Sequence, residues 1–303
     1  MKKIYTIDND FDNSRLDRWF KKVVSPAPQS LIEKSIRKGD IRVNNNKHKS
    51  SYKPRHNDKV TVKNFIFIPN KKNNFIYKPT KKDLSSLSGI FIENNENFAV
   101  INKPAGIPVQ GGTKSKRNIL DILKDTDEFK YSSPFAVHRI DKETTGILIV
   151  AKNRKHAQLF TTLFRIRKIH KIYLGIVVGT LKENKGTFID ELFYYEKNKK
   201  IKAKAITHYR VLDVNNNYSL LKLNPVTGRK HQLRKQLLIH GCPILGDSKY
   251  KFIKVNRSKD NILMLHAYKI NFSIAGIRYN FVADLPSLFI RTLKEKYLKT
   301  FLQ

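Results

Sequence analysis

The run His138-Arg139-Ile140-Asp141-Lys142-Glu143-Thr144-Thr145-Gly146 sets a carboxylate among basic and hydroxyl side chains and leads directly into the apolar Ile147-Leu148-Ile149-Val150-Ala151. A strand of that composition is expected to be buried on both faces, which would give the preceding turn the rigid support a catalytic side chain needs. An Asp before Thr-Thr-Gly is, on its own, more often a turn or cap residue than a nucleophile. Asp141 becomes the first candidate for chemistry because three further segments also put polar residues where strands or turns meet. They are Asn102-Lys103-Pro104-Ala105-Gly106-Ile107-Pro108-Val109 with Gly111-Gly112; Lys168 to Gly175 around Tyr173; and Thr227-Gly228-Arg229-Lys230-His231-Gln232-Leu233-Arg234 followed by Gly241-Cys242-Pro243-Ile244-Leu245-Gly246-Asp247. None carries GxGxxG or GxxxxGK[ST], so nucleotide-cofactor chemistry has no anchor. The histidines lack HExxH-type spacing and one cysteine cannot build a zinc cluster, so no metal is expected.

The elements that must position these residues read as follows. Phe98 to Ile101 is strand-like and stops at Asn102-Lys103-Pro104-Ala105-Gly106. Residues 154–166 suit a helix with Leu159, Phe160, Leu163 and Phe164 inward. Tyr173–Val178, Ala203–Leu212, Ser219–Leu223 and Ile277–Val282 read as strands, which predicts a mixed, mainly antiparallel α+β domain over 89–303. Residues 69–88, with Pro69, Pro79, lysines, asparagines and serines, lack periodicity and read as a linker.

Ahead of the linker, residues 1–68 predict a compact α/β-hairpin module. Ser14 would cap a first helix with Leu16, Trp19, Phe20 and Val23 on one face and Arg15, Arg18, Lys21 and Lys22 on the other. Ser30-Leu31-Ile32-Glu33 reads as a capping box, and a second helix ends with Arg37-Lys38 at Gly39. Ile41-Arg42-Val43 and Val60-Thr61-Val62 alternate as strands, with a turn at Asn44-Asn45-Asn46.

Composition limits the partners. Sixty Lys and Arg against 25 Asp and Glu give a net charge of +35, far beyond what solubility requires, and 40% hydrophobic residues suffice for a real core. Residues 1–82 hold 21 basic and 7 acidic side chains, nearly twice the net positive charge per residue of the remainder. A polyanion is the expected partner, nucleic acid ahead of an anionic membrane. No apolar run approaches the roughly 20 residues of a membrane helix and the first residues lack a signal-peptide core, so a cytoplasmic protein is expected. The single Cys242 excludes an internal disulfide, in keeping with a reducing compartment, and reads as a small buried side chain.

Taken in order, the four segments closely resemble the RluA/RluC/RluD family of RNA pseudouridine synthases, whose signature joins N-K-P-x-G, H-R-L-D-x-x-T-S-G, K-x-Y and T-G-R-x-H-Q-[IL]-R with G-x-P-[IL]-x-G-D. The resemblance covers roughly residues 89–285. Residues 14–62, with the RKGDIRVNN segment Arg37–Asn45, resemble an S4-type RNA-binding module. The likeness implies isomerisation of uridines in RNA without cofactor or metal. Asp141 would be the nucleophile, adding at the sugar or the base while the C1′–N1 glycosidic bond breaks, after which the freed uracil turns and rejoins through C5. That role needs an ionised carboxylate, a form favoured by a guanidinium within hydrogen-bond reach. Arg234 matches the arginine that pairs with this aspartate, Tyr173 the tyrosine that stacks on the target base and helps remove its C5 proton, and Arg139 the arginine that fills the space left by the extruded uridine. Arg229 would orient the turn or contact phosphate, and Arg15, Arg18, Arg37, Lys38 and Arg42 would bind RNA from the N-terminal module.

The chain departs from the pattern at Thr145, where serine is usual, and at Gln110, Lys230, Lys235, Gln236 and Cys242. These changes bear on the choice of target rather than on the reaction. The arrangement resembles most the enzymes that act on large-subunit ribosomal RNA, working as a monomer. A tRNA substrate and a non-catalytic ribosome-assembly role are the alternatives.

Overall fold

Two contact units divide the chain, Met1–Phe75 and Ile76–Gln303. The structure is a computed structural model and describes residues 2–67, 77, 79–85, 87, 89–111, 117–196, 199–252 and 262–299.

In the first unit β1 (Lys2–Thr6), β3 (Lys59–Lys63) and β2 (Ile41–Val43) form an antiparallel sheet in that order. Helices α1 (Leu16–Val23) and α2 (Gln29–Lys38) bury Leu16, Trp19, Phe20, Ile32 and Ile36 in a core with Ile41, Val43, Val60 and Val62. The strand β1 escaped the sequence reading because its residues alternate weakly and lie mostly exposed.

The expected caps do not form. The first free N–H groups of α1 are taken by a loop, with Leu16 N donating to Tyr52 O at 2.7 Å and Asp17 N to Ser50 O at 3.2 Å, so no Ser14 cap is needed. Helix α2 starts at Gln29 behind Pro28 without a side-chain cap, which leaves Ser30 inside its first turn. It does end at Gly39, whose φ of 85° and N–H bonds to Ser35 and Ile36 make the left-handed terminus.

Two of the expected RNA-binding arginines are engaged within the fold. Arg15 forks onto buried Asp17 at 3.1 and 2.6 Å, and Gln29 completes that carboxylate at 2.8 Å. Arg42 donates to the carbonyls of Gly39 and Asn45, bracing the turn after α2. Arg18, Arg37 and Lys38 are exposed, and so is Val23, expected inside.

The second unit contains α3 (Lys81–Ser85), β4 (Phe91–Asn94), β5 (Phe98–Lys103), α4 (Ile119–Leu123), β6 (Phe135–Ala136), β7 (Thr145–Ala151), α5 (Arg154–Arg165), β8 (His170–Val178), β9 (Lys185–Glu196), β10 (Lys199–Asn215), β11 (Tyr218–Pro225), α6 (Gln232–Ile239), β12 (Leu265–Ile274), β13 (Ile277–Val282) and α7 (Ser287–Glu295). Its ten-stranded sheet runs β4-β5-β7-β12-β8-β11-β10-β9, with β6 also on β7 and β13 on β12. Among the described residues every strand pairing of this sheet is antiparallel except β7 with β12.

Strand β7 is buried along its whole length, as its composition requires. Leu148 and Val150 pack on one face with Ile119, Ile122 and Phe129, while Ile147, Ile149 and Ala151 pack on the other with Phe160 of α5. The turn that precedes it therefore grows from a strand buried along its whole length.

Of the stretch expected to be a linker, residues 77, 79–85 and 87 are described, with α3 among them, and residues 69–76, 78, 86 and 88 lie outside the described residues. Asp83 is 6% exposed and accepts from Thr80 N at 2.8 Å, Thr80 Oγ1 at 2.7 Å, Arg117 Nε at 2.7 Å and the Tyr77 hydroxyl. Asp83 N donates back to Thr80 Oγ1, so Thr80-Lys81-Lys82-Asp83 is a reciprocal cap that proline-and-lysine composition concealed.

Candidate active site

Strand register brings the distant motifs into one row. Gly146 of β7 stands beside Ala267 of β12, Ala267 beside Tyr173 of β8, and Tyr173 beside Leu223 of β11. The Asp141 turn lies five residues before Gly146, and α6 begins seven residues after the end of β11. The crossing is close enough that only glycine fits at its edge: Gly146 has φ +101°, and a Cβ there would lie 2.3 Å from Ala267 O.

Asp141, Tyr173, Arg234, Arg139 and Arg229 all line one pocket of about 570 Å³. Its walls carry Arg139, Arg165, Arg167, Lys171, Arg229 and Arg234, and Asp141 is the one carboxylate among its lining residues. The carboxylate is 26% exposed and accepts from Arg234 Nη1 at 3.2 Å.

Arg234 is itself held from behind. Its Nε and Nη2 fork onto Asp247 at 2.7 Å each, a bidentate pair with almost no exposed surface. Burial works against the Asp247 carboxylate, but the Arg234 hydrogen bonds, those from Tyr250 N and Lys249 N, and the guanidinium charge together hold it below the usual carboxylate range. The guanidinium also lies over the Tyr250 ring, 5.1 Å from its centroid. One edge of Arg234 is thereby fixed, and its remaining nitrogen points at Asp141.

The other side of Asp141 meets His231, whose Nε2 lies 3.8 Å from Oδ1 and whose Nδ1 shares a hydrogen bond with the Tyr250 hydroxyl at 3.1 Å. Burial, partly opposed by the Asp141 charge, lowers the His231 pKa. His231 adopts φ 54° at the start of α6, a left-handed conformation uncommon outside glycine and asparagine. The first turn of α6 is fixed by Gln232, which accepts from Thr227 Oγ1 and Arg229 N and donates to Ile206 O and Thr207 Oγ1. Arg229 spends its Nε on Lys204 O at 3.2 Å.

Behind the Asp141 turn sits Lys103, which is fully buried. Its ammonium donates to Pro104 O at 2.7 Å, Ile107 O at 3.0 Å and Lys142 O at 3.1 Å, so it ties the first motif to the residue after Asp141. Gly106 N donates to the same Lys142 carbonyl at 3.0 Å. Burial pushes the Lys103 pKa down to about 7, against the pull of the Glu143 and Asp141 charges. His138 accepts from Ile149 N at 2.8 Å and stacks on Phe164; burial, with the charge of Lys171 adding, drops its pKa to about 3. Thr145, in the usual serine position, uses its hydroxyl on His266 Nδ1 at 2.8 Å.

Tyr173 is half-buried, and burial together with the Asp141 charge raises its phenol well above the usual value. Arg139 is exposed at the rim. Gly111 is described, while Gly112 lies outside the described residues. Among the described residues no group of three or more His, Cys, Asp or Glu is placed to hold a metal ion, and no helix is long and apolar enough to cross a membrane.

Sequence reasoning missed the parts played by Asp247, Lys103 and Tyr250. Asp247 and Lys103 were visible as motif members, but nothing local in the sequence links either to the Asp141 turn, because Lys103 meets it only through a long-range contact and Asp247 acts on it only through Arg234.

Residues 97–238 match the family model described as RNA pseudouridylate synthase. The chain is 32% identical to the ribosomal large subunit pseudouridine synthase C of Rickettsia felis, over 91% of this chain and 95% of the relative. It is 33% identical to the protein of that name from Rickettsia conorii, over 93% and 97%. Among solved structures, human RNA pseudouridylate synthase domain containing 4 is similar with a TM-score of 0.63 and 28% identity, over 72% of this chain and 96% of that one. With identity of this level spread along nearly its whole length, the chain belongs to the RNA pseudouridylate synthase family.

Proposed function

We propose that the protein converts uridines of large-subunit ribosomal RNA to pseudouridine, with Asp141 as nucleophile on a uridine extruded from its helix. The observation that carries this reading is Asp141 itself: one carboxylate in a pocket walled by six cationic side chains, with the Arg234 guanidinium 3.2 Å away. Such a pocket attracts the phosphates of RNA and presents one anion to the sugar or base held between them. The names of the relatives support ribosomal RNA as the substrate.

Asp141 attacks the target nucleotide and the C1′–N1 bond breaks. The uracil turns, C5 bonds to C1′, the bond to Asp141 breaks and frees its carboxylate, and the C5 proton is lost as N1 gains one, so the product is an isomer of the substrate. Tyr173, with its phenol held neutral, provides a face for the base, which favours stacking over proton removal. Arg139, exposed beside the nucleophile, enters the gap left by the uridine. Exposed Arg18, Arg37 and Lys38 of the first unit add sequence-independent contacts to phosphate.

The test is incubation with a uridine-labelled ribosomal RNA transcript, with Asp141→Ala as control. Pseudouridine from the wild type alone is expected; none from the wild type, or as much from the variant, refutes the assignment. Mapping pseudouridines in ribosomal RNA and tRNA of a deletion strain identifies the substrate. A missing tRNA site with intact ribosomal RNA overturns the ribosomal reading.

A further inference from the structure

The wall of the pocket formed by the end of α5 and its turn into β8 carries three cations that the catalytic scheme leaves without a task. Arg165, Arg167 and Lys171 line the pocket, and none makes a side-chain hydrogen bond or ion pair among the described residues. Arg165 and Arg167 are exposed, whereas Lys171 is half-buried, and burial lowers its pKa. Three unpaired cations on one wall repel each other and leave an anion-shaped demand.

Basic residues at a helix C-terminus often serve only to complement the helix dipole. The backbone of Arg167 argues for more. The chain leaves α5 through a left-handed closure, with Arg167 N bonded to Phe164 O at 3.2 Å and Lys168 N to Leu163 O at 2.9 Å. Arg167 occupies the position of that closure which glycine favours, at φ 60°. An arginine there accepts a conformational cost that glycine avoids, and it sets its side chain on the pocket wall.

We propose that Arg165, Arg167 and Lys171 grip the RNA phosphodiester next to the reacting nucleotide, on the wall formed by α5 and β8, and so register its sugar over Asp141. A nucleotide whose sugar reaches Asp141 carries a phosphate on each side, and this wall supplies cations with no competing carboxylate in the pocket except Asp141 itself. The inference rests on the RNA-modifying reading of the site, and it names positioning residues rather than catalytic ones.

The experiment uses the full chain and two variants. Arg167→Gly removes the cation and suits the left-handed backbone, so the fold is preserved. Arg278→Gln removes an exposed charge on β13, outside the pocket lining. Binding of an end-labelled RNA hairpin is titrated across salt concentrations, and turnover is measured on the ribosomal transcript. Losing one phosphate contact lowers the magnitude of the log-log salt slope by about 0.7 to 0.9, equivalent to roughly five- to eightfold weaker binding at 0.1 M salt. Arg167→Gly is expected to show that change, a comparable rise in KM with a smaller change in single-turnover kcat, and an undiminished Tm; Arg278→Gln keeps the wild-type slope. An unchanged slope and KM for Arg167→Gly overturns the proposal, as does an equal loss for Arg278→Gln, which would mark bulk charge as the cause. Absence of pseudouridine from the wild type would instead refute the reading of the site, since the salt slope is measured without turnover.

Discussion

Replacing Lys103 with methionine separates a positioning role from a stabilising one. The ammonium donates to three carbonyls, of Pro104, Ile107 and Lys142, the last belonging to the residue after Asp141. Hydrogen bonds to a charged donor contribute about 1.5 to 3 kcal/mol each, so the three together stabilise the fold by roughly 4 to 9 kcal/mol. Burying the cation costs a comparable amount: the drop from an ordinary 10.5 to about 7 corresponds to ~5 kcal/mol.

The net loss for Lys103→Met near neutral pH is therefore about 0 to 4 kcal/mol, a Tm decrease of up to roughly 15 °C in a unit of this size. Turnover should fall much further. Without its anchor the Asp141 turn can shift, and a displacement of about 1 Å costs on the order of 100-fold in rate.

A pH signature accompanies this. The folded pKa lies below the unfolded one, so between about 7 and 10.5 the unfolded chain holds a proton that the folded state has released. Stability contributed by Lys103 thus rises with pH through that window and is flat below it. The variant should lack that rise. Single-turnover rates and thermal melts across the window form the assay; turnover within about threefold of wild type, with an unchanged pH dependence of Tm, refutes the clamp.

Three further outcomes are expected. Asp247→Asn leaves the buried Arg234 guanidinium with only the longer, partly exposed Asp141 contact as counter-charge, so denaturant titration should show a loss of up to about 3 to 5 kcal/mol, and an unchanged midpoint would contradict the pairing. Gly146→Ala should cost more than the ~1 to 2 kcal/mol of its positive φ alone, because the added methyl meets Ala267 O; the denaturation midpoint at constant m measures it. Tyr173→Phe keeps an aromatic face and should retain RNA affinity, whereas Tyr173→Ala should lose about 1 to 3 kcal/mol of binding in the same titration. Equal losses from both would point to the hydroxyl instead.

Much of both units was legible from local patterns. Strand β7 declared itself by unbroken apolar residues, α5 by its period, and Gly39 by its place after Arg37-Lys38. Strand β12 did not, because it serves several partners in turn: His266 and Ala267 pair with β7, Leu265 to Asn271 with β8, and Lys269 to Ile274 with β13. Its pattern is therefore set by several neighbours and shows no single period. Helix caps were misread for the opposite reason, since loop carbonyls from residues 50 and 52 took the N–H groups that a serine hydroxyl was expected to satisfy.

The sequence by itself determined the attraction to a polyanion, through a net charge of +35, and it pointed to the reaction class through the resemblance of four ordered motifs around Asp141 to a known family. Residue identity and order carry that information because side-chain chemistry and charge do not depend on the fold. Only the tertiary structure decided what holds Asp141 in place: Asp247 behind Arg234, Lys103 beneath the turn, and Ala267 pressed against Gly146. Each is a contact between residues far apart in the chain. Such contacts depend on strand register and on burial, which turns a lysine ammonium into a clamp and an arginine pair into a rigid support.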